Sequence, residues 1–208
     1  MLFRSLTIRL RREARIDPVT GLANRLEFDA LVTSLLESKE GASPCALILL
    51  QLRAFSAVNH SASRDRADEL LRLVARRIEN VRLPRGAIVA RRAGADFSVF
   101  LPGVTLEKAR VVPQMVYGAV AAPDVLGSVE APPEVHAGAG FDPAPSAPGT
   151  LLTTADLALR TAQSTSTGGT HLLTADGDTP LTEWIATARS EEHTSELQSP
   201  CNLVCRLL

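Results

Sequence analysis

The chain has 208 residues, of which 22 are basic and 23 acidic, for a formal net charge of −1, and 45% of its residues are hydrophobic. That length is enough for one sizeable domain with a full core. The charge balance lacks the basic surplus of nucleic-acid-binding domains. No apolar run approaches the roughly 18–20 residues of a membrane-spanning helix. The composition therefore indicates a globular protein with no nucleic-acid partner.

The two ends of the chain differ from the rest. Residues from 189 onward read as a translated short-read sequencing adapter, and residues 1–5 match the reverse complement of the same adapter. We therefore expect 1–5 and 189–208 to be adapter-derived and the natural sequence to be cut from a longer gene. Two of the three cysteines fall in the adapter-derived part. The third, Cys45, lies in an apolar run, as is typical of a small core residue.

The first elements of the chain combine helical and strand patterns. Residues 6–16 are basic and weakly periodic, and we interpret them as the end of a connecting helix. Asp17–Arg25 is rich in turn-forming residues. Apolar residues then recur at helical spacing, which predicts a helix over 26–37. The continuous apolar run over 46–50 predicts a strand buried on both faces.

The middle of the chain contains the clearest helix and a hairpin. Residues 65–81 place their apolar side chains on one stripe, with Arg and Glu opposite. Two alternating segments then flank Arg92-Ala-Gly-Ala95, which predicts a β-hairpin. Thr105 is a helix N-cap for a segment reaching about residue 122, which we expect to bend at Pro113.

The remaining elements complete an α+β pattern. Residues 134–140 predict a strand, 142–149 a Pro-rich loop, 154–163 a capped helix and 170–173 a closing strand. The chain thus alternates helix, strand, helix, hairpin, helix, strand, helix and strand. This order predicts an α+β domain with helices around one mixed, largely antiparallel sheet.

Three motifs carry a resemblance to a known family. The hairpin, with Ala93-Gly-Ala-Asp-Phe97 at its centre, resembles the Arg-x-Gly-Gly-(Asp/Glu)-Glu-Phe hairpin of GGDEF domains, the diguanylate cyclase family. Asp17–Arg25 is similar to the family's Asp-x-Leu-Thr-Gly-Leu-x-Asn-Arg opening, with Val19 in place of Leu. Residues 154–163 resemble its Ala-Asp-x-Ala-Leu-x-x-Ala-Lys helix. The resemblance implies a nucleotidyl-cyclase-like palm and a family activity that joins two GTP molecules, one on each subunit of a dimer, into cyclic-di-GMP.

The family's metal ligands are missing from the matching positions. Phosphoryl transfer uses magnesium held by carboxylates, but Gln51 stands at the first carboxylate position and Arg53 replaces a second Asp. Among the five signature positions, Ala93 replaces a Gly, Gly94 is retained and Ala95 replaces the second metal carboxylate. Asp96 is the one remaining acid. A one-residue shift along a strand changes the face, so we interpret Asp96 as a solvated strand-edge carboxylate, with a displaced metal ligand as the alternative.

Nucleotide contacts survive only in part. Ser56 and Gln163 stand where the resemblance implies phosphate-binding lysines, and the product-inhibition motif Arg-x-x-Asp is replaced at Pro84 and Ala87. Asn59 and Asp68 match the pair that holds guanine. A helix cap at Asn59 and an exposed charge at Asp68 explain these two residues equally well, and both alternatives stay open.

These residues imply a catalytically inactive GGDEF domain that acts as a regulatory module. We expect no metal and no cofactor, and we expect GTP and a second copy of the chain as partners. The domain over 17–175 is expected in the cytoplasm, whether its parent protein is free or membrane-bound. The end of the late helix also resembles GGDEF domains fused to EAL domains, including LapD-type receptors, so 176–188 is expected to link to an EAL domain. Two alternatives stay open: an active cyclase that uses Mg²⁺, and a nucleotide-free interaction scaffold.

Overall fold

The structure is a computed structural model that describes residues 15–38, 43–55, 64–126, 133–145, 148–164 and 169–175. Ser56, Asn59 and both predicted adapter-derived ends lie outside these ranges, as does most of the predicted connecting helix. Within the described ranges, no helix is long and apolar enough to span a bilayer.

The described residues form six strands and five helices. The strands are β1 (Ala23–Asn24), β2 (Cys45–Arg53), β3 (Ile88–Ala93), β4 (Asp96–Pro102), β5 (Glu134–Asp142) and β6 (Gly169–Thr174). The helices are α1 (Arg25–Glu37), α2 (Arg64–Asn80), α3 (Leu106–Ala121), α4 (Pro123–Leu126) and α5 (Pro148–Ser164).

All six strands belong to one mixed sheet in the order β1-β3-β4-β2-β5-β6. The pairs β1–β3 and β5–β6 are parallel. The three inner pairs, β3–β4, β4–β2 and β2–β5, are antiparallel. The predicted α+β class and the predicted hairpin are confirmed.

Strand β2 lies at the centre of the sheet and is covered on both faces. Its even-numbered apolar residues pack with α2 and α3 in one cluster. Its odd-numbered apolar residues pack with α1 and α5 in a second cluster. Because both faces are buried, the strand reads as a continuous apolar run rather than an alternating one. Gln51 is odd-numbered, so it lies on the face that α1 and α5 cover.

Helix α5 approaches the sheet closely because two glycines of β5 lie beneath it. A Cβ atom at Gly138 would collide with the backbone N and Cα of Leu159, and one at Gly140 would lie 2.8 Å from the backbone N of Ala155. Both positions require Gly for space, since their backbone φ angles are ordinary. The pair of glycines therefore sets the distance between α5 and β5.

Several boundaries differ from the sequence predictions. Helix α5 begins at Pro148, within the predicted loop, because Pro fits the first helical turn and Leu151 is buried. Helix α3 continues through Pro113. Strand β1 was missed, since two residues give no periodic signal. Ile16 forms an isolated bridge with Ala23 and does not continue the predicted connecting helix.

The close contact between α5 and β5 gives a test of the fold. We expect Gly138→Ala to lower the free energy of unfolding by about 3 kcal/mol, the upper end of the cost of overpacking. Gly118→Ala is the matched control, because no atom lies within 4 Å of a Cβ there. Because Ala favours a helix more than Gly does, Gly118→Ala should raise the free energy of unfolding by up to about 1 kcal/mol. Urea unfolding measures both, and equal effects would contradict the packing described here.

Candidate functional site

Arg91 on β3 ties the signature hairpin to the opening segment of the chain. Its Nη1 donates to both carboxylate oxygens of Asp17 at 3.0 Å. Its Nε and Nη2 donate to the carbonyl oxygen of Gly94 at 2.8 and 2.6 Å. Gly94 has a φ of 53°, in the left-handed region that favours glycine. One guanidinium therefore fixes both the hairpin turn and the position of Asp17.

The Asp17 carboxylate is held by a second set of donors. The backbone N and Oγ1 of Thr20 donate to its Oδ2 at 2.8 and 2.7 Å. Burial raises the pKa of Asp17, but the hydrogen bonds from Thr20 and Arg91 and the charge of Arg91 outweigh burial and hold the pKa below its ordinary value of 3.8. The side chains of Arg91 and Asp17 are only 13% and 15% exposed. The carboxylate is thus stabilised in its charged form.

A row of three polar side chains crosses the sheet next to the hairpin. Gln51 Nε2 donates to Asp96 Oδ1 at 2.9 Å, and Gln163 Nε2 donates to Gln51 Oε1 at 2.6 Å. Gln51 and Asp96 are direct cross-strand partners of β2 and β4, and Gln163 lies near the end of α5. We call Asp96, Gln51 and Gln163 the polar row. The interpretation of Asp96 as a solvated strand-edge carboxylate is therefore wrong: it is half-buried and accepts from Gln51.

The three signature positions before Asp96 offer no side-chain ligand to the polar row. Ala95 is 7% exposed and packs in the cluster on the opposite face of the sheet. Its carbonyl oxygen accepts from Leu52 N at 3.2 Å. Ala93 and Gly94 are exposed at the hairpin turn. The structure thus leaves Asp96 as the one acid of the hairpin on the α5 side.

Strand β2 ends beside the polar row in a strained conformation. Arg53 is exposed at the last strand position, two residues beyond Gln51. Ala54 follows with a φ of 58°, which for a residue with a Cβ costs about 1–2 kcal/mol. Arg53 and Gln51 share a face of the strand because side chains alternate. Arg53 therefore adds a positive charge to the face of β2 that carries Gln51.

His136 extends the polar row onto β5. It is the cross-strand partner of Gln51, and it is 1% exposed. Its Nδ1 donates to the carbonyl oxygen of Ala162 at 3.1 Å, which places a proton on Nδ1. Its Nε2 lies 3.4 Å from Glu134 Oε2. Sequence reasoning missed His136, because only the register between β2 and β5 brings it beside Gln51.

The donor set does not fit magnesium. Mg²⁺ is held in proteins through carboxylate oxygens, and Asp96 is the only carboxylate of the polar row, already bonded to an amide. Among the described residues, no three His, Cys, Asp or Glu side chains are grouped so that they could hold a metal ion. The glutamine amides supply neutral oxygens only. The three side chains bond to one another, and Asp96 supplies the single negative charge among them.

The predicted nucleotide-binding residues are not brought together with the polar row by any described contact. Asp68 is half-buried on α2, on the other side of the sheet from α5. Asn59 lies outside the described residues. Their role in binding guanine stays a prediction.

The sheet order and the hairpin define a nucleotidyl-cyclase-like domain. The profile of the family described as "Diguanylate cyclase, GGDEF domain" matches residues 14–168, well over half of the chain. The chain therefore belongs to the GGDEF family.

Solved structures share this fold. The LapD S helix-GGDEF-EAL protein of Vibrio cholerae, bound to c-di-GMP, superposes with a TM-score of 0.70 at 21% identity, over 91% of this chain and 44% of that one. The coiled coil and GGDEF domain of DgcB from Caulobacter crescentus give a TM-score of 0.66 at 21% identity, over 83% and 91%. At these identities the likeness shows the fold alone.

Curated relatives match part of the chain. The cyclic di-GMP phosphodiesterase NbdA of Pseudomonas aeruginosa is 38% identical over 91 residues, 43% of this chain and 12% of the relative. The probable diguanylate cyclase DgcE of Escherichia coli is 32% identical over 118 residues, 56% of this chain and 11% of the relative. The chain thus spans about a tenth of the length of these two relatives.

The bond between Asp17 and Arg91 predicts a pH dependence. The pKa of Asp17 is lower in the folded state than in the unfolded state, so its stabilisation is present above pH 3.8 and is lost as the pH falls through the lowered pKa. We expect Asp17→Asn to lower the free energy of unfolding by about 1–3 kcal/mol near neutral pH. The difference in free energy of unfolding between the wild type and Asp17→Asn should become smaller as the pH falls below the ordinary pKa of an Asp side chain.

Urea unfolding across this acidic range measures the effect. Asp29→Asn, a change at an exposed carboxylate of α1, is the control. A constant difference between wild type and Asp17→Asn at every pH would contradict an ionic role for Asp17.

Proposed function

We propose that this GGDEF domain is catalytically inactive and serves as a regulatory module in cyclic-di-GMP signalling. The observation that carries the proposal is the polar row, in which Asp96, Gln51 and Gln163 bond to one another. By resemblance, Gln51 stands at a metal-ligand position and Gln163 at a phosphate-binding lysine. Side chains that satisfy each other leave no donor set for a metal-bound triphosphate.

The charges of the site support the same conclusion. Catalysis of phosphoryl transfer depends on cations that neutralise the phosphates and on positioned side chains. The polar row instead offers one carboxylate, which repels phosphate, and two neutral amides. Arg53 lies on the same face of β2 and opposes a bound cation. Loss of both metal carboxylates is therefore expected to abolish turnover rather than to slow it.

Guanine-nucleotide binding without turnover is the regulatory input that we propose. Asp68 on α2 and Asn59 would hold the base, since a carboxylate and an amide match the donors and acceptor of guanine. With no phosphate-binding lysine at 56 or 163, the affinity for GTP should be low and nearly independent of magnesium. A nucleotide-free scaffold is the second candidate, because the polar row needs no ligand to satisfy its hydrogen bonds.

The wider context of the domain is also proposed from its relatives. The LapD structure contains an EAL domain after the GGDEF domain. The diguanylate cyclase SiaD of Pseudomonas aeruginosa is seen in complex with its activator SiaC. We propose that this domain, over 17–175, forms homodimers in the cytoplasm and is linked through 176–188 to an EAL domain. We also propose that the two ends, 1–5 and 189–208, are adapter-derived and have no role.

Incubation of the protein with GTP and either Mg²⁺ or Mn²⁺ tests the proposal. We expect no cyclic-di-GMP above a control without protein, because the site lacks both metal carboxylates. Binding of a fluorescent GTP analogue is measured in parallel, with magnesium and with a chelator. Robust product formation would overturn the proposal.

Variants on α2 separate the two candidates. If the domain senses GTP, Asp68→Ala should abolish analogue binding, whereas Glu69→Ala, the adjacent exposed acid, should retain it. Absence of binding by the wild-type protein would favour the nucleotide-free scaffold.

A further inference from the structure

The polar row is part of a longer line of side chains across three strands. Asp96 of β4, Gln51 of β2 and His136 of β5 are consecutive cross-strand partners. Partners in a ladder point to the same face, and here that face is covered by α5. Gln163 and Ala162, adjacent residues near the end of α5, bond to Gln51 and His136 respectively. The end of α5 is thus held from two strands at once.

The direction of the hydrogen bonds is determined by one charge. A carboxylate can only accept, so Gln51 must present its NH₂ group to Asp96. The amide oxygen of Gln51 then faces Gln163 and accepts from its NH₂ group. Because Asp96 orients Gln51, it also orients Gln163, to which it makes no hydrogen bond. Removal of the carboxylate would leave both amides free to turn.

The other end of the line is the hairpin. Asp96 follows the turn whose Gly94 carbonyl is held by Arg91, and Arg91 is held in turn by Asp17. Hydrogen bonds therefore run from the opening segment to the hairpin, and from the hairpin to the end of α5. Backbone pairing and the bond from Gln51 to Asp96 join β4 to β2, and the bond from Gln163 to Gln51 adds the link to α5.

We propose that the polar row is a relay that couples the conformation of the signature hairpin to the C-terminal turn of α5 without a cation or a nucleotide. Gln51 is the positioning residue of this relay. Displacement of the hairpin breaks the bond from Gln51 to Asp96 and leaves Gln163 without an oriented acceptor. The relay does not rest on the proposed function, since it concerns the domain's own side chains.

Exchange of side-chain amide protons with solvent tests the relay. The chain has four glutamines, so ¹⁵N-glutamine labelling gives few signals. The NH₂ protons of Gln51 and Gln163 should exchange about threefold or more slowly than those of Gln114, which is exposed on α3. Asp96→Ala should speed exchange at both glutamines, and Glu107→Ala, an exposed change on α3, should speed neither.

The decisive signal is that of Gln163, because no hydrogen bond joins Gln163 directly to Asp96. Faster exchange at Gln163 in Asp96→Ala supports the relay. Faster exchange at Gln51 alone in Asp96→Ala would overturn the relay. Equal exchange rates at Gln163 and Gln114 in the wild-type protein would also overturn it.

A thermodynamic cycle gives an independent measurement. Asp96→Ala and Gln163→Ala are combined, and their coupling is read as a factor in the unfolding equilibrium constant. We expect a factor of about two to ten, in the lower part of the range for residues of one hydrogen-bond network. The same cycle in a Gln51→Leu background should give a factor of one, since the side chain that connects Asp96 to Gln163 is gone. Additive effects in the wild-type background, or a coupling that survives Gln51→Leu, would contradict the relay.

Discussion

The site depends on the hydrogen bonds of one group, the guanidinium of Arg91. It bonds at once to the carboxylate of Asp17 and to the carbonyl of Gly94, so the opening segment and the hairpin turn are positioned by one group. Hydrogen bonds between ions in a partly buried place are stronger than neutral ones. Removal of either Arg91 or Asp17 would leave the charge of the other without compensation. The start of β4, and with it Asp96, is therefore held in a defined position relative to the rest of the sheet.

Once the hairpin is fixed, the chemistry of the site follows from the side chains at its edge. By resemblance, Gln51, Ala95 and Gln163 stand at the family's positions for metal and phosphate. Ala95 packs into the core on the far face, while the two glutamines and Asp96 meet on the near face. Neutral amides can bond in sequence because each has donors and an acceptor. Under the proposed function, these bonded side chains stand where the family holds a cation.

Much of the fold could be predicted from the sequence. The apolar run of β2 and the stripe of α2 gave strong periodic signals, and the hairpin was visible in its alternation. The site could be predicted only in part. Residue types showed that the carboxylates were missing, but Asp96 was misjudged because its contact with Gln51 depends on the register between β2 and β4. His136 was missed for the same reason, since cross-strand neighbours are distant in sequence.

Binding of Mn²⁺, followed by electron paramagnetic resonance in the presence of GTP, tests the central claim that the polar row has replaced the metal site. The account predicts that wild-type protein leaves the signal of free Mn²⁺ at the level that GTP alone gives, because Gln51 and Ala95 supply no carboxylate. A variant with Gln51→Asp and Arg53→Asp, which adds two carboxylates to the face that carries Asp96, should deplete that signal. Stoichiometric retention of Mn²⁺ by the wild type, lost on Asp96→Asn, would contradict the account.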